Sequence, residues 1–237
     1  MPSKATARAS SNIAFIKYWG NEDDNLRLPT NGSLSMNLDG LYTETTVEWD
    51  ETSAEDTLKL NGKFAESEAL VRVSQHLGRL RTRLNMTQSA IVTSQNNFPM
   101  GTGIASSASA FAALTLAGVA ASGQILPEAE LSRLARTGSG SASRSIPSGF
   151  VEWYKGNSHD TSYAESFAPP DHWDIVDVIA IVSKVHKTTG SSAGHPTAKT
   201  SDLQTARVAG ADERINVCKQ AILDRDFIAF AEVVEYD

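Results

Sequence analysis

Among 237 residues there is one cysteine, Cys218. That excludes a disulfide framework and a cysteine-built zinc site. The five histidines never fall at H-x-x-x-H spacing, so the common helix-borne metal pair is missing and no side-chain metal site is expected. No apolar run reaches the ~20 residues of a membrane span. The opening MPSKATARASS lacks the apolar core of a secretory leader. Basic residues are also few: 21 Lys and Arg stand against 28 Asp and Glu, for a net charge of −7. This balance argues against nucleic acid or an anionic membrane surface as the main partner. The expectation is a soluble, cytoplasmic protein with an ordinary core, long enough for one large domain or two small ones.

What is present is concentrated in Ser94–Ala121, SQNNFPMGTGIASSASAFAALTLAGVAA. A loop with Pro99, Gly101 and Gly103 opens into a run of small and apolar residues. The glycines permit positive φ, so consecutive N–H groups can point into one concavity. Ser106, Ser107 and Ser109 add hydroxyls at the first turn, where the helix dipole favours an anion. From Ile104 the run has too few polar residues for a solvent face. A buried helix ending near Gly123 is expected, its N-terminus offered to a phosphate; an Ala/Ser-rich core helix after an ordinary turn is the alternative.

In chain order, a short apolar strand around Ile13–Ile16 leads to Lys17-Tyr18-Trp19-Gly20, and residues 21–33 read as a loop. Strict alternation from Leu41 to Trp49 predicts a half-buried strand with Leu41, Thr43, Thr45, Val47 and Trp49 on one side. Leu58-Lys59-Leu60, Asn61-Gly62 and Lys63-Phe64 form a two-residue hairpin signal. Leu70, Val73, Leu77, Leu80 and Leu84 recur at helical spacing, predicting a helix over 66–83. Residues 89–95 alternate again. A short helix follows over 127–136, with Pro127 at a tolerated position. Strands are predicted over 149–155 and 175–182, a domain boundary near Pro169-Pro170, and helices around 202–209, 212–223 and from Phe227. The apolar pattern is still running at Asp237, so a further C-terminal segment is expected.

Three Gly/Ser stretches, at 101–109, 138–145 and 189–194, adjoin element ends, and two have a nearby cation. Together they point to one phosphate-rich pocket. The pattern is neither the dinucleotide fingerprint nor a Walker loop. Lys187-Thr188-Thr189-Gly190 hints at a serine acyl-enzyme, but no Ser-x-x-Lys accompanies it. Phe150 and Trp153 read as core, and His186 and His195 are given no role.

Pro99-Met-Gly-Thr-Gly-Ile-Ala-Ser-Ser-Ala-Ser resembles the phosphate loop of the galactokinase, homoserine kinase, mevalonate kinase and phosphomevalonate kinase superfamily. Within it, residues 12–20 (NIAFIKYWG), 96–99 (NNFP) and 138–145 (GSGSASRS) resemble the diphosphomevalonate decarboxylase family, in the family's order and across about residues 6–207. The resemblance implies an α+β, two-domain fold with the active site in the cleft between domains, divided here as 1–165 and 166–237, and a homodimer. It implies ATP and Mg²⁺, and a small phosphorylated 3-hydroxy-3-methyl acid as substrate. Phosphorylation of the 3-hydroxyl then drives decarboxylation. Pro99, Gly101, Gly103, Ala105, Ser106 and Ser107 would hold nucleotide. Tyr18, Ser139, Gly140, Ser141, Ser191 and Ser192 would hold substrate phosphates. Arg144 would fork onto the carboxylate, Lys17 supply positive charge, and Asn12 orient the reacting groups.

Two positions depart from the family. Asn21 stands where a second lysine is usual, which leaves a monophosphate substrate open beside the diphosphate. The family's catalytic aspartate has no counterpart in this chain, since Asp202 and Asp237 lie in other contexts. A kinase that does not decarboxylate and a non-catalytic phosphate-binding protein are the other readings.

Overall fold

Two long antiparallel strands carry the molecule. The computed structural model describes residues 3–65, 68–99, 104–180 and 194–237. β1 (Lys4–Ile16) runs beside β4 (Ser33–Asp50) for nearly its whole length, with register shifts at Ser10/Asn12 and Ala14/Ile16. The short strand expected at 13–16 is thus the end of a 13-residue one. Its first half is small and polar, and it is built by pairing with β4 rather than by its own apolar pattern. Residues 21–33 are not all loop: β2 (Asn21–Asp23) and β3 (Leu28–Pro29) form a separate two-stranded hairpin.

The other edge of β4 is shared. Its C-terminal half pairs with β7 (Ser89–Asn96), and its N-terminal end pairs with β8 (Phe150–Trp153), which in turn pairs with β9 (Ala164–Ala168). Beyond β7 lie β5 (Thr57–Leu60) and β6 (Lys63–Phe64), joined by the Asn61-Gly62 turn. Both turn residues have positive φ (47° and 82°), the geometry that matches strand twist in a two-residue hairpin.

One face of the sheet is covered by α1 (Glu68–Leu84), α2 (Ser106–Ala121) and α3 (Glu128–Gly138), around Val47, Trp49, Leu77, Leu80, Phe111 and Leu114. Small residues let α2 approach closely: a Cβ at Gly118 would lie 2.9 Å from Leu80, and Trp49 Nε1 donates to the Gly118 carbonyl at 2.9 Å. Gly123 (φ 74°) ends that run as expected. The Gly/Ser stretch at 138–145 is the end of α3 followed by a 3₁₀-helix, Gly140–Ser145. The opposite face, around Phe15, Ile16, Leu34 and Met36, is covered by α5 (Ala211–Asp224) and α6 (Phe227–Tyr236). A second 3₁₀-helix (His195–Thr200) and α4 (Gln204–Ala209) precede them.

The strand expected at 175–182 is not found in its described part. Residues 175–180 form no regular element and are largely exposed. No described strand lies beside them, and an extended segment without a neighbour leaves its backbone ladder unmade.

Candidate active site

The register shift after Ser10 re-aims Asn12 into the interior. Buried there, its Nδ2 donates to the Ser141 carbonyl at 3.1 Å and to Ser145 Oγ at 2.8 Å. Its Oδ1 accepts from Arg144 Nη2 at 3.3 Å, and Arg144 Nη1 donates to Ser33 Oγ at 2.5 Å. Asn37 Nδ2 fixes the Arg144 carbonyl at 3.1 Å, and the guanidinium lies 5.7 Å from the centre of the Trp153 ring. Arg144 is 3% exposed, its Nε has no hydrogen-bond partner, and among the described residues it has no carboxylate partner. Burial pushes its pKa down to about 10. A desolvated guanidinium without a counter-ion is costly, and it is the donor that matches a carboxylate or phosphate.

Tyr18 sits beside this charge. Its ring stacks on His195 (4.1 Å between centroids) and meets Trp153 edge-on at 4.6 Å. Its hydroxyl donates to Asn21 Oδ1, and Asn21 Nδ2 donates to Asp24 at 2.8 Å. Asn21 is therefore fully engaged and brings no charge. Burial raises the Tyr18 pKa to about 12, so the phenol stays a neutral donor. Gly140 is dictated by this packing: a Cβ there would lie 2.6 Å from Tyr18 Cε1. His195 is satisfied and structural, accepting the Gly20 N–H through Nδ1 at 3.1 Å.

Ser139 closes α3 and touches the other predicted loop, its Oγ 3.3 Å from Ser107 Oγ. The first and second Gly/Ser stretches therefore do meet. Ser106 and Ser107 open α2 behind Ala105, which holds a left-handed conformation (φ 47°) that alanine adopts at a cost. Ser109 does not join them: it is fully buried against Thr43 Oγ1 at 2.7 Å. Pro99 is exposed just before the loop. Gly101, Gly103, His186, Ser191 and Ser192 lie outside the described residues.

A largely apolar cavity of about 170 Å³ adjoins Ser106 and Ser107, lined also by Thr45, Ser94, Asn96, Arg72 and Phe111. Arg72 lies over the Phe111 ring, with its Nη2 buried and unpartnered. The sequence reading does not single out Arg72, and it places Thr45, Ser94 and Asn96 on strands or in a motif without a site role. A signal was there: Thr43, Thr45, Ser94 and Asn96 occupy the inward positions of two alternating strands, and they pair across the ladder at 2.8 Å (Thr43–Asn96) and 2.9 Å (Thr45–Ser94).

Lys17 is exposed at the end of β1, its Nζ donating to the Ala14 carbonyl at 2.6 Å. Desolvation, and then the charge of Arg144, hold its ammonium below the usual lysine value. Asp237 accepts from the Lys17 N–H and from Arg214 Nε, both at 2.8 Å, so its carboxylate is spent. Asp202 is exposed beside α4. Among the described residues no cluster of three His, Cys, Asp or Glu could hold a metal, and no helix is long and apolar enough to cross a membrane.

A family model for the diphosphomevalonate decarboxylase-like N-terminal domain matches residues 9–164, and one for the mevalonate 5-diphosphate decarboxylase C-terminal domain matches 177–237. The diphosphomevalonate decarboxylase of Candida albicans is 43% identical over 98% of this chain and 69% of its own length. The solved mevalonate diphosphate decarboxylase of Staphylococcus aureus is 37% identical with a TM-score of 0.89, covering 100% of this chain and 72% of that one. A solved complex with MVAPP, AMPPCP and magnesium is 36% identical with a TM-score of 0.90, over 98% of this chain and 72% of that one. The chain spans between 63% and 69% of the length of the curated relatives it first matches.

Proposed function

The chain belongs to the diphosphomevalonate decarboxylase family, and from that premise we propose that it catalyses ATP-dependent decarboxylation of mevalonate 5-diphosphate to isopentenyl diphosphate, a step of isoprenoid biosynthesis by the mevalonate pathway. One observation carries the reading: Arg144, buried and unpaired, is held by Asn12 and Ser33 beside the Tyr18 hydroxyl and the Ser139–Ser141 turn. The substrate carboxylate supplies the anion that this guanidinium lacks. Held there, its C–C bond is aligned to break as the phosphorylated 3-hydroxyl departs.

Ser106, Ser107 and Arg72 face the nucleotide phosphates, and the cavity beside them takes the base and sugar. The backbone around Pro99, Gly101, Gly103 and Ala105 completes that cradle. Mg²⁺ would enter with the nucleotide phosphates beside the Ser106 and Ser107 hydroxyls and would supply positive charge against theirs. Ser139, Gly140 and Ser141, with Ser191 and Ser192, hold the substrate phosphates. Tyr18 joins them by turning its hydroxyl from Asn21 to a phosphate oxygen, and Lys17 adds positive charge. Neither Asp237 nor Asp202 takes the hydroxyl proton in this assignment. We place the nucleotide-binding domain at 1–165 and a second domain at 166–237, supported by the separate family models. A homodimer in the cytoplasm is the expected setting.

Asn21 favours a second reading. It spends its amide on Tyr18 and Asp24, so no cation stands there for a distal phosphate, and mevalonate 5-phosphate fits that subsite as well. A coupled assay following ADP and carbon dioxide with both substrates tests all of this. Equal release of ADP and carbon dioxide supports the decarboxylase, and the better substrate decides between the two readings. ADP alone would make it a kinase; neither product would leave a binding protein.

A further inference from the structure

Residues 17–20 form no strand or helix, yet they carry Lys17 and Tyr18. Irregular backbone in a part-buried place must find partners for its N–H and C=O groups. Thr30 and Asn31 supply the nearby partners, and four further hydrogen bonds come from 185 to 220 residues along the chain. Arg207 of α4 is central. Its Nη2 donates to the Trp19 carbonyl and to Asn31 Oδ1, both at 2.8 Å, and its Nη1 reaches the Lys17 carbonyl at 3.4 Å. Asn31 Nδ2 also donates to the Lys17 carbonyl at 3.1 Å. Gln204, one turn earlier, donates to the Trp19 carbonyl at 2.9 Å and accepts from Arg207 Nε at 3.1 Å. Arg214 donates to the carbonyl of Arg207 itself at 2.6 Å, while its ion pair with Asp237 places the carboxylate that accepts from the Lys17 N–H.

We propose that Arg207 is a positioning residue for the reaction: its planar fork bridges the carbonyls of Lys17 and Trp19 and so fixes where the Lys17 and Tyr18 side chains enter the site. The inference rests on the proposed function for its catalytic consequence, but its structural half stands alone. A guanidinium suits the task because one rigid group reaches three oxygens at once. A lysine in its place can satisfy only part of the set. Arg207 touches no reacting group itself, and its effect passes through the backbone.

Two readouts on Arg207→Ala and Arg207→Lys test this. Hydrogen exchange over residues 17–20 is expected to quicken at least tenfold in Arg207→Ala and less in Arg207→Lys, with α5 and α6 still protected. In turnover, kcat is expected to fall by up to about 100-fold in Arg207→Ala, the scale of a small misplacement, with partial recovery in Arg207→Lys and the KM for ATP within about twofold of wild type. Unchanged exchange at 17–20 overturns the proposal whether or not the protein turns over. Quickened exchange with unchanged kcat also overturns it, while leaving the proposed function intact. Absence of turnover in the wild type counts against the proposed function, and exchange then still decides whether Arg207 holds the segment.

Discussion

A buried cation with no counter-ion is a liability to the fold and an asset to the site. Arg144 is held through Ser33, Asn12 and Asn37, has no acidic partner among the described residues, and burial lowers its pKa. Replacing it with methionine removes a desolvated charge, so Arg144→Met is expected to keep or raise the melting temperature while turnover falls by ~10³-fold or more. A variant that loses stability and activity together would make Arg144 a structural residue. The serines of α2 offer a matched contrast. Ser107 is exposed and faces Ser139, whereas Ser109 is buried against Thr43. Ser107→Ala is expected to weaken ATP binding about fivefold with the fold unchanged; Ser109→Ala is expected to cost ~1 kcal/mol of stability and leave ATP affinity alone. Calorimetry on the two variants separates them, and a reversed pattern would place the wrong hydroxyl at the nucleotide.

Elements show where glycine is dictated by neighbours rather than by turns. A Cβ on Gly138 would meet Phe111 at 2.3 Å and His76 Nδ1 at 2.9 Å, whereas on Gly140 its three nearest atoms would all belong to Tyr18. Gly138→Ala is therefore expected to destabilise the core by about 1–3 kcal/mol. Gly140→Ala instead pushes Tyr18 out of its place between Trp153 and His195. The KM for the phosphorylated substrate is expected to rise about tenfold or more, with the KM for ATP unmoved; steady-state kinetics with each substrate varied in turn reads the difference. Elements with their own period were legible from the residues: the alternation of β4 and β7, the Asn61-Gly62 hairpin, and the apolar stripe of α1. The Tyr18 and Arg144 motifs, being local, could be picked out from the residues. The first two Gly/Ser stretches meet at Ser107 and Ser139, while the third lies outside the described residues. What could not be read was set by distant partners. The first half of β1 is a strand because β4 runs beside it, and residues 175–180 are not one because no described strand does. Arg72 looks unremarkable until α1 brings it to the cavity that Asn96 of β7 also lines.

Across the whole molecule, the two histidines buried among the described residues weigh most in how the fold meets acid. His76 is fully buried on α1, its Nε2 2.8 Å from Thr115 Oγ1 and its Nδ1 unpartnered. Desolvation, then Arg79 and Arg27, push its pKa down to about 3. His195 is held to about 4, by desolvation first and by Arg27, with Asp24 opposing and Arg144 adding to the shift. Both folded values lie below the ordinary histidine range, so the unfolded chain binds protons that the folded one refuses. Stability from this source is complete above pH ~6.5 and is lost as the pH falls towards 4. With both groups titrating only when unfolded, the slope approaches roughly 2.7 kcal/mol per pH unit at the steepest point. Carboxylates join only below about pH 5, so the window from 6.5 to 5 reports the histidines. Thermal melts across that window are expected to show a steady fall for the wild type. His159 is also held below its ordinary value, by desolvation first and then by Arg136, and adds to the fall. His76→Gln, which can still meet Thr115 but cannot take up a proton on unfolding, is expected to lower the slope by up to about 1.4 kcal/mol per pH unit. An unchanged slope would mean that His76 is not held neutral between α1 and α2.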